Sequence, residues 1–272
     1  MASFPTTHVE DLELSRLIVG TNRFMGYSHY SAAKDKWIKS YMTPARIAEV
    51  MGVFARNGVN AVMSMQNPTM HEAIHIVREE TGVKMHWICT PNGEHVEDLM
   101  PGIEESAEYG ARICMPHQHW TDGNMLVNDR VVVGLEKVTE RIRSQGMIPG
   151  LSTHRPETVV VCDKAGYDVA TYIQMYNAIG FLCQVETDWV ARIINGTPKP
   201  VMCIKPLAAG RILPPTGFSF VFNSIKPNDM VCVGTMSTFE AEEDIRLCRE
   251  IIERRSALPA ELTFSRSKSA LV

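Results

Sequence analysis

Eight times along the chain a short run of β-branched or mixed apolar residues gives way to a turn and then to apolar positions at helical spacing. The runs are Leu17 to Val19, Ala61 to Met63, Met85 to Cys89, Arg112 to Met115, Met147 to Leu151, Val169 to Met175, Val201 to Ile204 and Met230 to Val233. Short apolar runs bounded by turn residues read as buried strands, and the amphipathic stretches between them as helices. The helix boundaries are well marked. Thr43-Pro44 opens a helix through Arg56 that closes at Asn57-Gly58, and Asn67-Pro68 opens the next, ending at Thr81-Gly82. A third runs from near Asn92 to Gly110, a fourth from Asp129 to Gln145 and a short fifth from Arg155-Pro156 to Gly166. A sixth spans Phe181 to Ile194, a seventh lies near Phe218 to Ile225, and Ser237 caps a last long helix through Arg255.

Strand and helix alternate without a break, and the right-handed crossovers this implies give a parallel sheet. Eight units at about 30-residue spacing favour closure into one α/β domain over residues 1–272, a (β/α)8 TIM barrel. Residues 1–16 precede the first strand as a hairpin or arm, and residues 258–272 read as a frayed tail. The stretch from Gly20 to Met42 is a long first βα loop rich in aromatic residues, which suits a lid.

Charge and composition narrow the partners. The net charge is −4 and no basic block or acidic tail is present, so neither nucleic acid nor an anionic membrane finds electrostatic support. A small-molecule substrate is expected, and homo-oligomer formation stays open. No apolar stretch reaches the roughly 18 residues of a membrane span, and the first residues lack a signal-peptide pattern, so a cytoplasmic protein is expected. The seven cysteines are odd in number and never in C-x-x-C spacing, which reads as reduced, buried thiols.

In such a barrel the chemistry sits at the carboxyl ends of the strands. The residues that follow each run therefore carry the functional information. The opening Leu14-Ser15-Arg16-Leu17-Ile18-Val19-Gly20-Thr21 and the turn Asn57-Gly58-Val59-Asn60-Ala61 resemble the first strand and second-strand turn of aldo-keto reductases. Lys205-Pro206-Leu207-Ala208-Ala209-Gly210-Arg211-Ile212 resembles their seventh-strand loop, and Val233-Gly234-Thr235-Met236-Ser237 their last strand. The resemblance implies a TIM barrel, a nicotinamide cofactor along those last two loops, and a catalytic tetrad of Asp, Tyr, Lys and His. Here Ser64 takes the aspartate's place, Met65-Gln66-Asn67-Pro68 offers no tyrosine, and Cys89 or Thr90 stands for the lysine. Only the histidine is matched, by His117. The resemblance thus implies a divergent relative with rebuilt chemistry.

His117 and His154 follow neighbouring strands about 4.8 Å apart, close enough to share a ligand. One reading makes them nitrogen ligands of a divalent Zn²⁺, Mn²⁺ or Fe²⁺, with Asp122, His119 or Glu94 as further donors. In another they bind polar substrate groups, and in a third one of them is a general base. Lys205 ends an apolar strand, where desolvation would lower its pKa toward a base or Schiff-base nucleophile; pairing with a carboxylate is the plainer alternative. Tyr176 could replace the missing proton donor, or could simply form a packed wall. Asn22, Arg23, Tyr27, Gln66, Asp122, Asn177 and Arg211 are candidate substrate contacts. Gly234, Thr235 and Ser237, before a helix, are candidates for holding a cofactor anion, and the acidic residues after them favour NAD if a nicotinamide binds. The leading reading is a lyase, epimerase or isomerase doing acid–base chemistry on a small oxygen-rich carbonyl or sugar-like substrate, with or without a metal. An NAD(P)-dependent oxidoreductase with a rebuilt proton donor is the alternative, and a non-catalytic ligand-binding barrel the second.

Overall fold

The computed structural model describes residues 4–255. The chain enters through an antiparallel hairpin, β1 (Thr6–Val9) against β2 (Leu12–Ser15). There follow β3 (Leu17–Gly20), α1 (Ala32–Tyr41), α2 (Pro44–Arg56), β4 (Ala61–Ser64), α3 (Pro68–Thr81), β5 (His86–Cys89), α4 (Val96–Glu108), β6 (Ile113–Cys114) and α5 (Gln118–Gly123). A second small hairpin, β7 (Met125–Leu126) with β8 (Val131–Val132), leads to α6 (Leu135–Ser144) and β9 (Ile148–Thr153). The remainder is α7 (Pro156–Ala165), β10 (Thr171–Met175), α8 (Thr187–Gly196), β11 (Val201–Ile204), a 3₁₀ turn at Ala208–Gly210, α9 (Pro214–Ser224), β12 (Met230–Gly234) and α10 (Thr238–Arg255).

Strands β3, β4, β5, β6, β9, β10, β11 and β12 pair in that order, all parallel, and β12 closes on β3 with Gly234 opposite Gly20. The period of two along each strand sorts side chains to two faces. Ala61, Met63, Ile88, Ile113, Met115, Ile148, Ile173, Met202, Met230 and Cys232 fill the interior, and Val9, Leu12 and Leu14 of the entry hairpin join that cluster as a plug. The opposite face, including Val62, Trp87, Cys114, Leu151, Tyr172, Cys203 and Val231, packs under the helices against residues such as Phe54, Leu99, Ile142 and Phe218. All seven cysteines are unpaired, six of them buried.

Local chemistry sets the boundaries. Thr43 and Asn67 cap α2 and α3 through their side-chain oxygens, each followed by proline at the first helical turn, and Gly82 and Gly166 close α3 and α7 in the left-handed conformation. Four expectations are corrected. The helix read from Asp129 begins only at Leu135, because the β-branched run Val131-Val132 pairs back on Met125-Leu126 and Gly134 turns at φ +80°. The helix read from Phe181 begins at Thr187, because Asn177 holds Phe181 in a turn through both backbone atoms, at 2.7 and 3.0 Å. The helix read near Phe218 starts earlier, at Pro214. The first βα loop carries a helix of its own, α1, capped by Ser31. The hairpin expected before the first strand is present, and the tail expected to fray lies outside the described residues. Among the described residues no helix is long and apolar enough to cross a membrane.

Candidate active site

The carboxyl ends of the barrel strands open into a cavity of about 850 Å³. His117 and His154 reach it by strand parity, continuing the inward rows Ile113-Met115 and Ile148-Ser152. Lys205 does so against parity. Cys203 points outward and Ile204 inward, so an unbroken pleat would send Lys205 outward; the backbone instead turns left-handed at Lys205 (φ +59°), and the side chain lines the cavity beside Ile204. His29, on the loop before α1, is also left-handed (φ +55°), and its Nε2 lies 2.9 Å from Lys205 Nζ. Such a backbone costs a non-glycine residue about 1–3 kcal/mol, and two of them meet at this contact.

The charges around the cavity share one sign. Arg23, Lys39 and Lys205 line it, with His29, His117 and His154, and among the described residues no Asp or Glu does. Burial lowers the pKa of Lys205. Burial first, then the Lys205 charge and the neighbouring imidazoles, takes His154 down to about 4. His117 is lowered by burial, then by His119 and Lys205, and His29 by burial and then Lys205, against an opposing pull from Asp35. All three imidazoles are therefore neutral near pH 7, next to an amine with no carboxylate at ion-pairing distance among the described residues.

Of the residues read from the sequence as site candidates, Asn22, Arg23, Tyr27, Gln66, His117, His154, Lys205 and Gly234 line the cavity. Gln66 keeps a buried side-chain oxygen without a partner there. Six others do not line it. Tyr176 shares the outward parity of Tyr172, its hydroxyl donates to Ser224 Oγ of α9 at 2.8 Å, and burial pushes its pKa up to about 12, so the expected proton donor faces the helix layer. Asp122 accepts from Thr153 Oγ1 at 2.5 Å and from the His154 backbone N–H at 3.1 Å, pinning the end of β9. Asn177 is consumed by its turn to Phe181. Arg211 stacks over the Phe181 ring at 4.2 Å on the exposed side of that turn. Thr235 is buried, its hydroxyl without a partner among the described residues. Ser237 Oγ accepts from Glu240 N at 3.2 Å while the Glu240 carboxylate accepts from Met236 N at 2.6 Å.

That reciprocal cap places a carboxylate on the α10 N-terminus, where a cofactor anion would sit, so the turn does not fit the anion expected there. The metal reading fares no better. Among the described residues no group of three His, Cys, Asp or Glu could hold an ion; Asp122 is spent on β9, and neither His119 nor Glu94 lines the cavity.

No protein-family model matches the chain, and no curated protein matches it in sequence. Solved structures do match its backbone. A protein provisionally described as an aldo-keto reductase from Pseudomonas aeruginosa superposes with a TM-score of 0.65 at 16% identity, over 91% of this chain and 94% of that one. A glycerol dehydrogenase from Gluconobacter oxydans gives 0.58 at 12%, over 97% and 100%. The fold is an aldo-keto-reductase-like (β/α)8 barrel. An N-acetylmannosamine-6-phosphate 2-epimerase from Clostridium perfringens also matches, at 0.52 and 14%, over 88% and 94%, so the likeness carries the barrel and not a reaction. At the positions where the reductase resemblance implies a tetrad, Ser64 Oγ accepts from Trp87 Nε1 at 2.7 Å, and Cys89 is a buried thiol pushed up to about 12. Ser64, Thr90 and His117 of that set line the cavity, and of these only His117 keeps the residue type that the resemblance implies.

Two features were not legible as site features in the sequence. His29 reads there as an ordinary loop histidine, and its contact with Lys205 spans 176 residues. Cys232 reads as core, yet it lines the cavity and couples to Lys205. The uniform sign of the lining charges has no sequence signature either, because the lining comes from loops scattered over the whole chain.

Proposed function

We propose that this barrel is an enzyme of the lyase, epimerase or isomerase kind, moving protons on a small, oxygen-rich carbonyl or sugar-like substrate that carries negative charge. The observation that carries the reading is Lys205: a desolvated amine without a carboxylate partner among the described residues, in contact with a neutral imidazole and sharing a cavity with two more. A general base works best with a pKa near the working pH, and burial moves Lys205 in that direction. His117 and His154, both neutral, suit hydrogen bonds to substrate oxygens. The cationic lining, with no carboxylate among the described residues, favours an anionic ligand.

The oxidoreductase alternative loses support at two points, since Tyr176 faces away from the cavity and Glu240 fills the cofactor turn. Proton transfer can be read without knowing the product. The protein is incubated in D₂O with 2-oxo acids, keto-sugar phosphates and their neutral analogues, and loss of C–H signals next to the carbonyl is followed by NMR. Catalysed exchange with an anionic member, abolished in Lys205→Met, is the expected result. No exchange with any member, together with turnover of an alcohol or carbonyl on adding a nicotinamide cofactor, would overturn the reading in favour of a reductase. Ligand affinity with no turnover of either kind would make the barrel a binding protein.

A further inference from the structure

We propose that Lys205 is an imine-forming nucleophile for a carbonyl compound bearing an anionic group, of which a 2-oxo acid is the simplest class, and that His29 is the base that takes its proton. This deepens the acid–base reading above and rests on it. The contact itself supports the pairing. Nζ of Lys205 and Nε2 of His29 lie 2.9 Å apart, within hydrogen-bond distance. An ammonium donating to the bare nitrogen of a neutral ring and a free amine accepting from an imidazolium N–H are the two ends of one proton transfer. A lysine bound to a carboxylate would be held as the ammonium; Lys205 has no such partner among the described residues.

The surroundings favour the free amine. Ile173, Ile204 and Cys232 line the cavity near the strand ends, and burial lowers the lysine. His29 is held over it from the other side. The Ser28 backbone N–H and hydroxyl both donate to Asp35 Oδ1, at 2.8 and 2.5 Å, and the His29 ring stands edge-on to Phe181 with centroids 6.4 Å apart. Phe181 is in turn fixed by Asn177. The loop that lines the cavity before α1 thus delivers one imidazole to one amine. Arg23 and Lys39 line the same cavity, so a carbonyl compound with an anionic group enters a field that attracts it.

The chemistry balances without a co-reactant. The Nζ lone pair attacks the carbonyl carbon and forms the C–N bond as the C=O π pair moves onto oxygen. His29 removes a proton from nitrogen and, as the imidazolium, returns it to that oxygen. A second proton passes from nitrogen to that hydroxyl through the same imidazole as the C–O bond breaks, water leaves, and the nitrogen lone pair completes C=N, so amine and carbonyl give imine and water with no change of oxidation state. The C–H next to an imine is more acidic than that next to the parent carbonyl, which connects this step to the proton exchange expected above.

Trapping tests it. The full chain is treated with pyruvate and sodium cyanoborohydride, then with neutral hydroxyacetone in its place, and adducts are located by intact mass and peptide mapping. One reduced adduct at Lys205 is expected, formed faster with pyruvate. Lys205→Met and Lys205→Arg should give none there; the arginine variant keeps length and charge, and circular dichroism checks the fold of both. In His29→Gln the trapping rate at neutral pH should fall by about tenfold or more and recover as pH rises. The groups facing this pair are His117, His154, Cys232, Asp35 and Arg211; none is altered in that variant. Labelling spread over surface lysines, equal in wild type and Lys205→Met, would overturn the imine. An unchanged rate and pH profile in His29→Gln would overturn the role of His29. Proton exchange that needs Lys205 without any adduct would leave the acid–base reading standing and remove the imine; an adduct without exchange would do the reverse.

Discussion

His154 and Asp122 meet at the end of β9, and the division of labour between them can be measured. Asp122 grips the backbone N–H of His154, not its ring, so the imidazole can be removed without loosening the strand end. His154→Ala is expected to lower turnover by about 10²–10⁴-fold if the ring contacts the reacting group, with little change in melting temperature. Retained turnover with a large loss of stability would make it a structural residue. Asp244 tests a different property. Burial, then the Glu240 and Glu243 charges, raise its pKa to about 8 despite Arg23 nearby. Between the ordinary carboxylate value near 4 and about 8, the folded chain holds a proton that the unfolded chain has released. This residue's contribution to stability is therefore present at low pH, declines as pH rises through that window and is fully lost above it. Asp244→Asn has no such proton to lose. Urea midpoints at pH 5 and pH 8 should converge in the variant, and an equal decline in both proteins would contradict the assignment.

The first βα connection behaves as an element in its own right, a loop and a helix that together line the cavity through residues such as Thr21, Tyr27, His29 and Lys39. Gly26 is its tightest point. Its φ is +74°, and a Cβ there would lie 2.6 Å from Lys39 Cγ and 2.8 Å from the Asp35 carbonyl oxygen. Gly26→Ala adds a left-handed penalty of about 1–2 kcal/mol to that clash. The expected result is faster proteolytic cleavage between Thr21 and Tyr41 and weaker pyruvate trapping, at nearly unchanged global stability, because α1 contributes only Ile38 to the core. A global loss of stability matching the local one would show that this connection is part of the barrel core. At the same scale, the α10 cap explains why a sequence reading as an anion-binding turn is closed to anions: the fourth residue after Met236 is a glutamate that reaches back to its N–H.

Across the whole molecule, stability and chemistry lie at opposite ends of the barrel. The entry hairpin plugs the amino end with Val9, Leu12 and Leu14, and Arg143 of α6 ties its turn, at Glu10, to Asp168 before β10. Leu14→Ala leaves a hole in a fully buried position and should cost about 2–5 kcal/mol in a chemical-denaturation curve. Trapping at Lys205 in the folded fraction should be unaffected, and a parallel loss of both would join the two ends into one unit. The strands, their order and the residues at their carboxyl ends could be read from the sequence, because hydrophobic period and turn chemistry are local and repeat eight times. The facing of Tyr176 was in principle there too, in its parity with Tyr172. The rest belongs to the closed barrel. A left-handed residue, not the strand pattern, turns Lys205 inward; folding alone brings His29 across 176 positions to meet it. Closure also sorts the charges, giving a chain of net charge −4 a cavity lined, among the described residues, by cations and imidazoles with no carboxylate. Periodicity fixes which way a side chain points within one element, whereas the sign of a field depends on which loops converge.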